Sequence, residues 1–512
     1  MYPAAKRKGR RAMKIDCRNG DTVADALKGQ NILLTPCGRR GSCGKCRIQT
    51  LAGEWLPPTG DERRLLSSEE LAQGIRLACQ ARGTGLCEVK VLFQTDEMHI
   101  QSAHGQLTSP LRKLRRDMDG KYGFTADLGT TTVVAQVWRG DGCLLGEGAM
   151  PNPQGAFGAD VISRIESALG GRGQELQDLA AGCLDELIKE ACRQAGISPG
   201  SLEEGVIVGN TAMLTLLAGE DPQGLAVFPF EPGDYFGEWY GAQELGLGAA
   251  GARIHLPRCI AGYVGADAVS AALAADLDRP GPVRLLGDIG TNGEMFLSLG
   301  GKLLCCSTAA GPAFEGGGIS CGMPGIGGAI SKVFLQEGQL KWETLGGTPR
   351  GVCGSGLLDA AAAFQALGLL DESGLLVKDG EPQPAMEIGD SKISLTQKDI
   401  RSLQLAKSAI RAGMETLLSR AGVLPEQVET LYLAGGFGSC LNPKSAGAIG
   451  LIPPRLAPRA EGLGNAALLG AAAILLREEG RRRALAISKE AVHLELSQDP
   501  DFMERYVEHM MF

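Results

Sequence analysis

Two stretches of the chain repeat one pattern. FTADLGTTTVVAQV and RLLGDIGTNGEMFL each run from an apolar strand through Asp-x-Gly-Thr into a second apolar strand, with Asp127 and Asp288 lying 161 positions apart. A repeat at that distance is the size of a domain, so it predicts a duplicated α/β fold and not a solenoid of short units. Each stretch reads as a β-hairpin whose glycine turn presents backbone N–H groups to an anion such as phosphate. The turn residues are Gly129, Thr130 and Thr131 in the first and Gly290, Thr291 and Asn292 in the second. The aspartate ending each first strand is suited to Mg²⁺, an ion that takes one or two carboxylates and keeps several waters. One such hairpin is ordinary turn chemistry; the pair is a much stronger signal.

Three more segments extend the pattern. LYLAGGFGSCLNP carries a strand into the turn Gly435-Gly436-Phe437-Gly438, while VIVGNTAMLTLL and GVCGSGLLDAAAAF place glycines at the start of expected helices. Two phosphate hairpins, two connecting helices and an adenosine-type glycine turn, in this order, resemble the sugar kinase, Hsp70 and actin superfamily over roughly residues 122–490. That resemblance implies two duplicated lobes, 122–280 and 281–512 with its tail, holding ATP and Mg²⁺ in the cleft, with Gly435, Gly436 and Gly438 against the nucleotide. Other nucleotide signals fail: no Gly-Lys pair is followed by Ser or Thr, and GLGAAG at 246–251 leads into RIHLP instead of a helix. The glycine-dense run GPAFEGGGISCGMPGIGG (311–328) reads as a flexible loop, with contact from Glu315 to ribose or base as its functional alternative.

At 512 residues the chain predicts two to four domains. Its net charge of −8 argues against a nucleic-acid partner. The longest apolar stretch, Ala466 to Leu476, is shorter than the ~20 residues that cross a bilayer. The basic cluster Lys6, Arg7, Lys8, Arg10 and Arg11 leads into no apolar run, so it reads as a solvated tail, and the expected location is cytoplasmic.

Fifteen cysteines in such a compartment need an explanation other than disulfides. Cys17 and Cys87 alternate with apolar strand residues, and Cys143, Cys183, Cys192, Cys259, Cys305, Cys306, Cys321, Cys353 and Cys440 show no ligand spacing; all are expected to be small core hydrophobes. The exception is CGRRGSCGKC, where Cys37, Cys43 and Cys46 follow C-x5-C-x2-C and Cys79 comes 33 positions later. Closed zinc sites usually draw two close pairs of ligands. Three plus one suits an iron–sulfur cluster, whose sulfurs take N–H donors that a glycine-rich loop can aim inward. The spacing resembles the ferredoxins of the adrenodoxin type. Its flanks are a strand at Met13–Cys17, a short helix from about Thr22, a strand at Arg47–Leu51, and a helix with a Ser67/Glu70 capping box and a stop at Gly74. They resemble the β-grasp fold of 2Fe-2S ferredoxins over residues 12–96, with zinc as the competing metal. The polar stretch 97–121 reads as a linker.

A ferredoxin-type N-terminus joined to an actin-like ATPase, with NPQGAFGADVISRI (152–165), GNTAM, DIGTNGE, GPAFEGGGI, LAGGFG and the DPDFMERYVEHMMF ending, resembles the reductive activators of corrinoid enzymes. The likeness spans nearly the whole chain, although longer members carry a further small domain where this chain has about 25 linker residues. It implies ATP-dependent return of inactive Co(II) corrinoid to the Co(I) form that methyltransferases use. In that reading Cys37, Cys43, Cys46 and Cys79 hold a 2Fe-2S cluster, Asp127 and Asp288 organise Mg²⁺, and Glu294 positions the attacking water. The partners are a corrinoid protein and a low-potential electron donor, with no nucleic acid or membrane, and a homodimer is left open. The competing readings are an activator of the 2-hydroxyacyl-CoA dehydratase type, which uses a 4Fe-4S cluster between subunits, a zinc-holding ATPase or chaperone, and a small-molecule kinase, since fold does not fix function.

Overall fold

The computed structural model describes residues 12–17, 21–28, 46–92, 114–248, 251–438 and 440–512. They fall into two compact units, Met1–Met98 with Pro153–Ser167 and His99–Asn152 with Ala168–Phe512. The basic cluster at residues 6–11 lies outside the described residues.

In the first unit, β1 (Met13–Asp16), β2 (Arg47–Ala52), β3 (Ile75–Leu77) and β4 (Leu86–Val91) form one sheet in the order β1-β4-β2-β3, with antiparallel neighbours. Alternation builds its core: Ile15, Ile48, Leu77, Cys87 and Val89 point inward, and Val23, Ala24 and Leu27 of the helix Val23–Lys28 join the same cluster. The Ser67/Glu70 capping box forms as the sequence predicts, and the whole is the expected β-grasp fold.

A second capping box, Thr59 with Glu62, opens the helix Gly60–Leu65 and does more than cap it. The buried Glu62 carboxylate accepts from Arg76 Nε and Nη2, both at 2.8 Å, from Leu77 N at 3.0 Å and from Thr59 N at 2.9 Å. Burial alone would raise this carboxyl's pKa, but the Arg76 guanidinium and the two N–H donors outweigh it and hold the group below the usual glutamate range. Arg76 and Leu77 lead directly to Cys79, so the pair fixes the chain that presents that thiol. Glu62→Gln is expected to cost about 3 kcal/mol at neutral pH, as breaking a buried ion pair does. Because the folded pKa is depressed, this contribution is complete above the usual glutamate value of about 4.3 and fades as pH falls through the folded value. Thermal unfolding of the two proteins from neutral to acid pH should therefore show their difference shrinking.

The second unit contains one five-stranded pattern twice, with a sixth strand added at opposite edges of the two sheets. Strands β5 (Tyr122–Leu128), β6 (Thr132–Arg139), β7 (Leu144–Pro151), β8 (Leu202–Gly209), β9 (Trp239–Gly241) and β10 (Arg253–His255) are ordered β7-β6-β5-β8-β10-β9. In the other lobe, β11 (Val283–Ile289), β12 (Asn292–Leu299), β13 (Lys302–Ala309), β14 (Val428–Ala434), β15 (Ala460–Gly464) and β16 (Val492–His493) are ordered β15-β14-β11-β12-β13-β16. Each lobe thus has an antiparallel three-strand meander whose first strand is joined to two further parallel strands. The helix Gly173–Ala195 covers β6 and β7, and Gln397–Arg420 covers β12 and β13 in the corresponding place.

Two helices cross between the lobes. Ala266–Ala274 leads from the first lobe to β11, while Ala466–Leu476, the apolar run noted in the sequence, leaves β15 and packs on β5, β8 and the first helix. At the crossing a Cβ on Gly470 would stand 1.9 Å from the Ser270 carbonyl oxygen, so only glycine fits.

The end of the expected linker is part of this unit. Arg115 donates to Glu204 at 2.6 Å and to the Leu475 carbonyl at 3.1 Å, which ties residues 114–121 to the first lobe. The tail packs back as expected: β16 adds to β13, and the buried Lys407 ammonium donates to the carbonyls of His509, at 2.7 Å, and Met511. Cys143 and Cys440 correct one expectation, since both are exposed and belong to no core. Cys143 lies in the turn after β6, where short polar neighbours leave nothing to bury it.

Candidate functional site

The duplicated hairpins and the helix Ala266–Ala274 bring four carboxylates together. Asp127 on β5 and Asp288 on β11 occupy equivalent places before the two glycine turns. The β11–β12 register sets Asp288 directly opposite Glu294, a like-charged pair of the kind that destabilises a sheet. Asp267, in the first turn of the helix Ala266–Ala274, is the fourth member. All four are half-buried. Burial pushes Asp127 up to about 6, against a lowering hydrogen bond from Asn465. Burial and then Asp127 push Asp288 up to about 7, and burial and then Asp127 push Asp267 up to about 8. Glu294 rises well above its usual range through burial, Asp267 and Asp288.

Acids that raise one another in this way are the electrostatic profile of a cation site. Among the described residues no three His, Cys, Asp or Glu side chains are arranged to cage an ion.

The turns beside these acids are pinned from several directions. Asn152 donates to the Gly129 carbonyl at 2.8 Å and, through its backbone, to the Thr131 carbonyl at 2.9 Å. Asn210 Nδ2 donates to Thr130 Oγ1 at 2.9 Å. The buried Thr291 hydroxyl has no partner among the described residues, which fits a ligand oxygen such as that of a phosphate. Gly435, at φ 86°, carries the glycine turn past Asp288; a Cβ there would lie 2.4 Å from Asp288 Oδ1. Phe437 of the same turn stacks on Phe314 with centroids 4.7 Å apart.

The glycine-dense run is therefore not a free loop. Pro312–Glu315 forms a short 3₁₀ turn, and Glu315 accepts from Thr131 Oγ1 in one hairpin and from Thr291 N in the other, the latter at 3.2 Å. Its carboxylate thus meets both hairpin turns, beside the stack of Phe314 on Phe437.

Asp267 and Asn465 are the site residues that the sequence reading missed. Asn465 donates to Asp127 Oδ2 at 2.8 Å while its own oxygen caps Leu468 N at 2.8 Å. The signal was present: each is a polar residue at the start of an otherwise apolar helix, ADAVSAALA and AALLGAAAILL.

In the first unit, Cys46 and Cys79 are buried with their sulfurs 3.3 Å apart. This is well beyond the ~2.05 Å of a disulfide and suits two thiolates on one metal centre. Gln80 Nε2 lies 3.9 Å from the Cys79 sulfur, a donor of the type that steadies thiolate ligands. Cys37 and Cys43 lie outside the described residues. The residues present fit the expected cluster as far as they are described.

Fold and site together define a ferredoxin domain joined to an ATPase of the actin, Hsp70 and sugar-kinase kind. Family models match along the chain: a 2Fe-2S iron-sulfur cluster binding domain over residues 7–84, the RACo middle region over 122–280, and the C-terminal ASKHA domain of RACo over 282–512. The chain is 35% identical over 421 residues to the corrinoid activation enzyme RamQ of Eubacterium limosum, covering 76% of this chain and 70% of that protein. It is 28% identical over 397 residues to a [Co(II) methylated amine-specific corrinoid protein] reductase of Methanosarcina barkeri, covering 68% and 69%. A solved structure of a reductive activator for corrinoid, iron-sulfur protein aligns with a TM-score of 0.70 at 28% identity, covering 96% of this chain and 95% of that one. The chain belongs to the RACo family of reductive corrinoid activators.

The raised carboxyls give a pH signature. Their contribution to stability is complete below the usual aspartate pKa of about 3.9. It is lost as pH rises through about 6 for Asp127, about 7 for Asp288 and about 8 for Asp267. In chelator the melting temperature is expected to fall across this window, Mg²⁺ is expected to restore it most at the alkaline end, and Asp267→Asn should flatten the slope.

Proposed function

We propose that this protein couples ATP turnover to the one-electron reduction of a corrinoid protein, returning Co(II) to Co(I) for methyl transfer. The observation that carries the reading is the joining, in one chain, of a buried thiol pair in a β-grasp unit to a cluster of carboxylates beside duplicated hairpins. The working parts are a ferredoxin domain over 12–96, a connection over 97–121 and lobes over 122–280 and 281–512, in a reducing cytoplasm where thiols stay free.

Cys37, Cys43, Cys46 and Cys79 are the proposed holders of the 2Fe-2S cluster, which when bound supplies a single low-potential electron, replenished by a separate donor. Asp127 and Asp288 would hold Mg²⁺, which would supply positive charge to the phosphates, with Asn465 keeping Asp127 in place, and Thr130, Thr131, Thr291 and Asn292 would hold phosphate oxygens. Glu294, facing Asp288 across the sheet, is the proposed group that positions the attacking water. Gly435, Gly436 and Gly438 let the turn run close to the nucleotide. With five carboxylates at the cleft, counting Glu315, ATP needs a divalent cation to enter at all.

The nucleotide is needed on energetic grounds. Plant-type clusters lie near −400 mV, and each ~59 mV of uphill one-electron transfer costs a factor of ten in equilibrium constant. ATP can offset that deficit only by binding one lobe arrangement better than another, and so favouring a state in which the corrinoid is easier to reduce. With reduced protein, Mg·ATP and a methyltransferase corrinoid protein, the visible spectrum is expected to develop the Co(I) bands. Asp288→Ala is expected to slow ATP turnover about 100-fold, the scale on which a preorganised charge contributes. Equal cobalt reduction without nucleotide, or unchanged turnover in the variant, would refute the assignment.

A further inference from the structure

We propose that Glu315 is a positioning residue that ties the two phosphate hairpins together, and that bound phosphate must displace it. The inference rests on the reading of the cleft as a nucleotide site and adds how that site is controlled.

Glu315 ends the turn Pro312–Glu315, whose Ala313 and Phe314 are buried and whose Phe314 is stacked on Phe437, so its backbone is fixed to the second lobe. One carboxylate oxygen accepts from Thr291 N at 3.2 Å within that lobe. The other accepts from the Thr131 hydroxyl across the cleft. Gly290 of the same turn lies alongside, where a Cβ would be in ordinary contact with Glu315 Oε1 at 3.6 Å. A backbone N–H and a hydroxyl offered to one anionic group from two sides are the donors that a phosphate needs. An N–H cannot make a strong, linear bond to two anions at once, so the carboxylate and a phosphate compete for it. The protein thus carries an internal anion, and the apparent nucleotide affinity is reduced by the fraction of time that the carboxylate holds its donors. When phosphate takes over, the direct tie between the lobes is released and the nucleotide becomes the bridge.

The test uses the full-length chain, with a non-hydrolysable ATP analogue and Mg²⁺ as the probe, followed by titration calorimetry and by hydrogen–deuterium exchange of the two turns. Glu315→Gln keeps the shape and removes the charge; it is expected to bind the analogue about tenfold tighter, the effect of losing one charge-assisted competitor. Glu315→Asp keeps the charge but falls short of Thr131. It should leave affinity within about threefold of wild type, while amides around Gly129–Thr132 exchange faster without nucleotide and at the wild-type rate with it. Wild-type binding with no tighter binding by Glu315→Gln, at an unchanged melting temperature, would overturn the inference alone. Unaltered exchange in Glu315→Asp would also overturn it. If wild type bound no analogue, the nucleotide reading itself would fall.

Discussion

Repulsion among four carboxylates is the constraint around which the ATPase unit is organised. Asp127, Asp267, Asp288 and Glu294 come from two hairpins and a crossing helix, and the sheets hold them together although burial and mutual charge oppose ionisation. A fold left to maximise its own stability would not place Asp288 opposite Glu294. The cost makes sense when a cation is the missing partner, because the same crowding that destabilises bare acids strengthens their hold on a hydrated metal. The duplication supplies the geometry: each lobe contributes an equivalent aspartate and an equivalent turn, so a triphosphate can be gripped from both sides.

The ferredoxin unit meets a different problem, that of presenting thiols without making every thiol reactive. Burial pushes the Cys17 thiol of this unit up to about 11, so it stays protonated and inert, as burial also does in the second unit for Cys192, pushed up to about 11, and for Cys183, Cys259 and Cys305, pushed up to about 12. Cys79 is set apart by its support. The Glu62–Arg76 pair holds the chain two residues before it through side-chain and backbone bonds, which places the sulfur beside that of Cys46. Specific placement of a ligand is a use for which a buried ion pair is better suited than for raw stability.

Much of this could be read from the sequence because the strands announce themselves. FTADLGTTT and LLGDIGTNG each combine an apolar run with a glycine turn, and their repetition points to the two equivalent hairpins that the sheets contain. Asp267 and Asn465 escaped notice because their one-dimensional context is that of an ordinary helix start, and only the crossing of two helices brings them to the aspartates. The contacts of Glu315 with the two hairpins were hidden for another reason. Its neighbourhood has no periodicity, so the stack of Phe314 on Phe437, which aims the carboxylate, depends on a contact between segments more than a hundred residues apart. Cys143 and Cys440 show the same limit from the other side, since absence of ligand spacing does not say whether a residue is inside.

The contact at Gly470 has a mechanical meaning. Helices that come this close, a glycine of one against a backbone carbonyl of the other, can swivel about the point of touch like the blades of scissors. One blade begins at Asn465, bonded to Asp127, and the other begins beside Asp267. A small turn at this fulcrum would alter the spacing of the acids, so the separation of the carboxylates and the angle between the lobes share one pivot.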